Sequence, residues 1–133
     1  YFAPYQGTDE LVDAEVLARQ PSADDYPPRL VTLGELADAS TAPSFASQLV
    51  RVEAAEVEDT NPDAPKDYDE TLLLGGLRLD DLLVAALDNQ FPIGTRFDSI
   101  DGVAGVSFGH QKIYPRSLAD LTLQQALAAQ RSR

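Results

Sequence analysis

The sequence has no cysteine, no tryptophan and only one histidine, His110, among its 133 residues. Without cysteine the chain can form neither a disulfide nor a thiolate metal site. No GxSxG motif marks a serine nucleophile that His110 could activate, so we expect His110 to be an exposed hairpin residue. Paired carboxylates are common, but glycosidase chemistry also needs a cleft with stacking aromatic side chains. We therefore expect no catalytic residues and no enzymatic activity.

The sequence also has no apolar run long enough to span a membrane. Tyr1-Phe2-Ala3-Pro4 has neither the basic region nor the apolar region of a signal peptide. If the protein is exported, we expect the sequence to be the mature chain or a fragment. Its length and its 44% hydrophobic content suit one globular domain with a real core.

Acidic residues dominate the charge, but they are unevenly placed. The net charge is −12; residues 1–90 carry 19 acids and 5 bases, whereas residues 91–133 carry 3 acids and 5 bases. Such a surface keeps a protein soluble, and it can also attract cations or a basic partner. Broad binding to phosphate backbones normally uses a basic face, so it is disfavoured.

The clearest strand pattern lies between Phe91 and Leu121. From Phe97 the side chains alternate, and one face of the predicted strand carries Ile100, Gly102, Ala104, Val106 and Phe108. Small residues on both faces favour strong coiling, as in a small closed barrel. A hairpin at Gly109-His110 leads to a return strand over Gln111–Tyr114, which Pro115 ends.

The remaining strands follow from shorter patterns. Val50 and Val52 alternate with polar residues along a predicted first barrel strand, Leu49–Glu58, and a change of face near Ala54-Ala55 predicts a β-bulge. A second strand is predicted at Thr71–Leu74 and a third at Leu77–Leu79, with Gly75-Gly76 turning between them and Arg78 facing away from the core.

Three helices are predicted. Thr32 and Glu35 fit a capping box, which predicts a short helix to about Ala39. Residues 81–89 are compatible with a second short helix, and residues 118–131 form a terminal helix by propensity. The pattern of residues 11–17 does not decide between helix and strand, and we favour a short strand near Ala14–Ala18.

These segments resemble an OB-fold module of bacterial extracellular proteins, some of which accompany secreted endonucleases while others occur in surface lipoproteins of unknown function. The matching segments are Leu49–Glu53, Asn61-Pro62-Asp63, Gly75–Asp81 and Ser99–Leu121. The resemblance implies a mainly β, OB-like five-stranded Greek-key barrel with short helices over residues 30–121 and an extracellular or cell-surface location. Residues 1–29 would be an N-terminal extension or the remnant of a preceding module, and residues 122–133 a C-terminal helical tail. OB folds host many functions, so the fold alone names none.

The loop between the first two barrel strands is rich in oxygen-bearing side chains: Asp59, Asn61, Asp63, Asp67, Asp69 and Glu70. Calcium takes about six to eight oxygen ligands, so we consider a calcium site here. The EF-hand pattern is not met, since Ala64 stands at its glycine position and Pro62 and Pro65 stiffen the backbone. A solvated acidic loop without a metal is the favoured interpretation.

Nucleic-acid binding by an OB fold would need a positive groove and stacking aromatics. The candidate bases are Arg51, Arg78, Arg96, Lys112 and Arg116, and the candidate aromatics are Phe97, Phe108 and Tyr114. We expect Phe97 and Phe108 to lie in the core instead. The acidic excess argues against this function.

An aromatic N-terminal arm contains Tyr1, Phe2 and Tyr5. Pairing of this arm with an open sheet edge of another copy would build a head-to-tail filament, although docking on its own domain is favoured. We expect a non-catalytic module of an exported or surface protein that works by protein–protein or self-assembly contacts, with calcium as an optional stabiliser. The alternative is a nucleic-acid-binding accessory module of a secreted nuclease. No membrane span and no certain cofactor are expected.

Overall fold

A seven-stranded sheet, part of which closes into a barrel, organises the computed structural model. The structure describes residues 2–5, 8–20, 26–88 and 90–125, with the backbone alone for residues 2–5 and 8–11. The strands are β1 (Phe2–Tyr5), β2 (Thr8–Leu11), β3 (Arg29–Leu30), β4 (Leu49–Asp59), β5 (Glu70–Leu73), β6 (Arg78–Asp80), β7 (Arg96–Ser107), β8 (His110–Tyr114) and β9 (Leu121–Leu123).

The sheet order is β3-β4-β5-β6-β8-β7-β9, and a further pairing of β4 with β7 closes the five central strands into a barrel. All barrel pairings are antiparallel except that of β6 with β8. This topology confirms the predicted OB-like fold. The strands β1 and β2 form a separate antiparallel hairpin.

Apolar side chains from every barrel strand fill the interior, including Val52, Leu73, Leu79, Ile100 and Ile113. The predicted change of face in β4 is real, because Val50 and Val52 are buried and the next buried residues are Ala55 and Val57. Ala54 lies between them with φ at +55°. Pairing with β7 keeps its register across this point, because β7 changes face opposite Ala54. The register shift in β4 occurs instead against β5, between Val57 and Asp59.

The helical elements are short. The helix α1 spans Leu33–Ala37, and its capping box is formed as predicted, with Glu35 N donating to Thr32 Oγ1 over 3.1 Å. Turns of 3₁₀ helix span Ala42–Phe45, Ala85–Leu87 and Leu118–Asp120. None of the helices in the described ranges is long and apolar enough to cross a membrane.

Several local predictions were wrong. No strand forms over residues 14–18, because the hairpin of β1 and β2 ends earlier, at Leu11. The helix predicted over residues 81–89 is only one 3₁₀ turn. In place of the first part of the terminal helix, Leu118–Asp120 form a 3₁₀ turn and β9 then pairs with β7, which lets Leu121 pack against the core. Residues 126–131 of that predicted helix lie outside the described residues.

Candidate ligand cleft and its ionic floor

Four charged side chains lie together on the outer face of the barrel. Their positions follow from strand register, which pairs Glu70 with Asp80 and Arg78 with Lys112. Alternate residues of a strand point to opposite faces. The core residues Leu73, Leu79 and Ile113 fix the inward face of β5, β6 and β8, so these four side chains point outward, yet all four are buried.

Hydrogen bonds join these side chains and Asp63 into one network, which we call the ionic cluster (Asp63, Glu70, Arg78, Asp80 and Lys112). Arg78 Nη1 donates to Asp63 Oδ2 over 2.6 Å and to Glu70 Oε2 over 2.7 Å. Lys112 Nζ donates to Asp80 Oδ2 over 2.8 Å and to Glu70 Oε1. Glu70 is therefore the central acceptor, because it alone bonds both cations.

The cluster keeps its cations charged. Burial acts to lower the pKa of Lys112, but its hydrogen bonds to Asp80 and Glu70 outweigh this effect and raise the pKa. The pKa of Arg78 is likewise raised by Asp63 and Glu70 against the effect of burial. The hydrogen bonds from Arg78 hold the pKa of Asp63 below its usual value. A lysine held protonated in this way is not a nucleophilic amine at neutral pH.

A cleft of about 630 Å³ lies over the ionic cluster. Its walls come from the loop between β4 and β5, from the turn between β7 and β8 and from the segment after β6. The first two are the loop regions that flank the usual ligand face of OB folds. Three wall side chains are strongly exposed: Tyr68 at 56%, Phe108 at 67% and Leu82 at 72%. The cleft thus combines apolar walls with a floor of neutralised charges.

Tyr114 forms part of the cleft lining. Burial is the main reason why the pKa of its hydroxyl is raised, and the hydroxyl lies 3.5 Å from Ser107 Oγ. The ring fits because residue 105 is glycine: a Cβ there would lie 2.8 Å from Tyr114 Cε2. Tyr114 therefore contributes a neutral aromatic surface.

One end of the cleft is acidic. Asp81 lines this end. Close to Asp81, three further acids, Asp67, Asp69 and Asp88, each place one carboxylate oxygen within 4.8 Å of those of the other two. We call these four residues the acidic corner. The pKa of Asp69 is raised by burial and then by the charges of Asp88 and Asp67, and that of Asp81 by burial and then by Asp69. The short distances between the carboxylates place like charges together here.

The structure divides the six residues considered for calcium. Asp63 and Glu70 bind Arg78. Asp67 and Asp69 lie in the acidic corner. Asp59 Oδ1 accepts a bond from the backbone of Asn61 over 2.9 Å. The sequence pattern missed Asp88, which comes from a distant segment and is adjacent only after folding.

All five candidate nucleic-acid-binding cations are ion-paired. Arg78 and Lys112 belong to the ionic cluster, and the other pairs are Arg51 with Asp101, Arg96 with Glu56 and Arg116 with Asp120, at 2.7 to 2.9 Å. Phe97 is buried in the core as predicted, whereas Phe108 is exposed, contrary to the prediction, because it lies in the turn that follows β7.

The aromatic N-terminal arm is partly described. Phe2 and Tyr5 lie in β1, whose backbone pairs with β2 of the same chain. Tyr1 lies outside the described residues. One hydrogen-bonding edge of β1 is therefore occupied within the chain.

We expect Asp69→Asn to raise the melting temperature at pH 7. The pKa of Asp69 is raised by folding, so its ionised form costs stability above that pKa, and the cost vanishes once pH falls below the ordinary value of about 3.9. Asparagine also tolerates the φ of +60° at this position. Thermal melts from pH 7 to pH 3 should show the two proteins converging.

The exposed Asp98 supplies the control for this experiment, since Asp98→Asn removes the same charge outside the acidic corner. A wild-type melting temperature that rises with millimolar calcium, with the rise lost in Asp69→Asn, would instead locate a cation at the corner. A lower melting temperature for Asp69→Asn without calcium would contradict the repulsion.

Comparisons with known proteins identify no family for this chain. No protein-family model matches the chain, and no curated protein matches it. Among solved structures, it is similar to a putative aspartyl-tRNA synthetase from Leishmania major Friedlin, with 11% identity and a TM-score of 0.41. The likeness covers 80% of this chain but only 23% of that protein. A likeness at this level carries no argument about function.

Proposed function

We propose that this chain is a non-catalytic interaction module of an exported or cell-surface protein, and that it acts through protein–protein or self-assembly contacts made by the cleft. The observation that carries the proposal is the set of exposed apolar walls at Tyr68, Leu82 and Phe108 above a floor of internally paired charges. Exposed apolar side chains gathered around one concave surface mark interaction sites. The exported location rests on the sequence resemblance over residues 30–121.

The chemistry of the floor supports binding over catalysis. Each cation of the ionic cluster bonds two carboxylates, and its pKa is raised. General acid–base catalysis works best with a group whose pKa lies near the working pH. A floor with these properties fixes the shape of the cleft without offering a proton donor or acceptor of that kind.

Nucleic-acid binding remains the second candidate, because Tyr68 and Phe108 are exposed beside the outer face of the barrel and could stack on bases. A phosphate backbone would still need cations, and the five candidate bases are already paired with acids. The acidic corner would repel phosphates at one end of the cleft. The paired cations and the acidic corner therefore favour a protein over a nucleic acid as the ligand of the cleft.

The test compares the wild-type chain with Phe108→Ala and Ile93→Ala. Both side chains are 67% exposed, but Ile93 does not line the cleft. We expect light scattering to show concentration-dependent association of the wild type and of Ile93→Ala, and a loss of about tenfold or more in affinity for Phe108→Ala, since an aromatic anchor at a contact contributes at least this much.

Repeating the light-scattering measurement in calcium and then in chelator tests whether a cation stabilises the assembly. A wild-type monomer at every concentration, together with oligonucleotide binding that weakens as salt rises, would overturn the proposal in favour of the nucleic-acid alternative.

A further inference from the structure

An exposed apolar segment lies outside the barrel. Residues 14–20, with the sequence AEVLARQ, have no regular secondary structure. Val16 is 68% exposed and Leu17 is 86% exposed. Arg19 is exposed as well, and it forms no ion pair with any residue in the described ranges, unlike the five paired bases described above. The segment therefore offers a large apolar side chain and, two residues on, a cation without an ion pair among the described residues.

The cleft offers a matching surface for each of these side chains. Parallel pairing of Arg78 with Lys112 places His110 and Asp81, which both line the cleft, at opposite ends of the β6–β8 pair. Phe108 and Tyr68 supply the apolar walls. In the acidic corner, the pKa of Asp69 is raised by burial and then by the charges of Asp88 and Asp67, and that of Asp81 by burial and then by the charge of Asp69. A cation there would relieve the repulsion between these carboxylates.

The spacing of the segment suits this arrangement. In an extended chain, residues i and i+2 point the same way about 6.6 Å apart, so Glu15, Leu17 and Arg19 face one side over about 13 Å. Laid along the cleft parallel to β6 and β8, the segment puts Arg19 at Asp81 and Leu17 between the apolar walls. Glu15 then reaches the His110 end, where an imidazole N–H can donate to its carboxylate.

We propose that residues 14–20 of one copy of this chain dock in the cleft of a second copy, with Leu17 against Phe108 and Tyr68 and with Arg19 paired to Asp81. This inference rests on the proposed function and names its partner. Leu17 is exposed in its own chain rather than docked in the cleft of that chain, so we place the contact between two copies. Because it joins two different surfaces, it is heterologous and builds a ring or a filament.

Charge reversal tests the Arg19–Asp81 contact. Arg19→Asp and Asp81→Arg are each expected to weaken self-association by about tenfold or more in light scattering, since each places like charges together. An equimolar mixture of the two variants is expected to regain association, because each copy then carries the charge that the other needs. Asp98→Arg is the control, since it makes the same reversal at an exposed strand position outside the cleft. Circular dichroism checks that every variant is folded.

A labelled peptide of residues 14–20, capped at both ends, tests the segment alone. We expect it to bind the full chain saturably in fluorescence anisotropy, to bind Phe108→Ala about tenfold more weakly or worse, and to fail when it carries Leu17→Asp. Self-association that depends on Phe108, without peptide binding or rescue in the mixture, would overturn this inference and leave the proposed function intact. Loss of any dependence on Phe108 would overturn both.

Discussion

Replacing Glu70 by alanine is expected to lower the free energy of unfolding by about 3–5 kcal/mol, the cost of breaking a buried ion pair on one side. Glu70 accepts from both Arg78 and Lys112, whose side chains are 9% and 3% exposed. Without Glu70, each buried cation keeps only one acid partner, Asp63 or Asp80. The side chains of Arg78 and Lys112 are buried, so water replaces the lost carboxylate poorly.

Urea unfolding measures this loss directly. The control is Glu56→Ala, which breaks the exposed pair with Arg96 and is expected to cost no more than about 1 kcal/mol. Equal costs for the two variants would show that the ionic cluster does not stabilise the barrel.

Replacing Gly102 by alanine is expected to cost about 1–3 kcal/mol or more, as overpacking does in a dense core. A Cβ at residue 102 would lie 2.7 Å from Ile113 Cγ1 and 2.8 Å from the carbonyl carbon and oxygen of Tyr114. Backbone atoms of a paired strand cannot move aside without disturbing the β7–β8 ladder. Gly102 therefore permits the close approach of β7 and β8, which the small residues of β7 predict from the sequence.

Gly34 is the matched control for this substitution, since a Cβ there meets nothing within 4 Å and its helix favours alanine. We expect Gly34→Ala to stabilise the protein by about 0.5–1 kcal/mol. Thermal melts of both variants compare the two outcomes. A Gly102→Ala protein as stable as the wild type would show that β7 and β8 are less closely packed than the structure has them.

Local patterns predicted the barrel well. The alternation in β7, the hairpin, the change of face at Ala54 and the Thr32 capping box are all encoded by neighbours in sequence. The first part of the predicted terminal helix was wrong for the opposite reason, because the pairing of β9 with β7 overrides helix propensity there.

The ionic cluster and the acidic corner could not be predicted from local patterns. The outward orientation of Arg78 was visible from alternation, but its pairing with Lys112 depends on the parallel contact of β6 with β8. Asp88 joins Asp67 and Asp69 only through folding of the segment after β6. The prediction that Phe108 lies in the core was wrong, because the alternation of β7 does not continue into the turn that follows it.

The most direct test of the cleft as the contact surface is hydrogen–deuterium exchange at low and at high protein concentration. Loops that lie in a contact become protected when copies associate. We expect concentration-dependent protection of the loop around Tyr68, of the turn at Phe108 and of residues 14–20, with no change at the turn that carries Ile93. Association accompanied by protection elsewhere, with the cleft loops unchanged, would contradict the cleft as the interaction site.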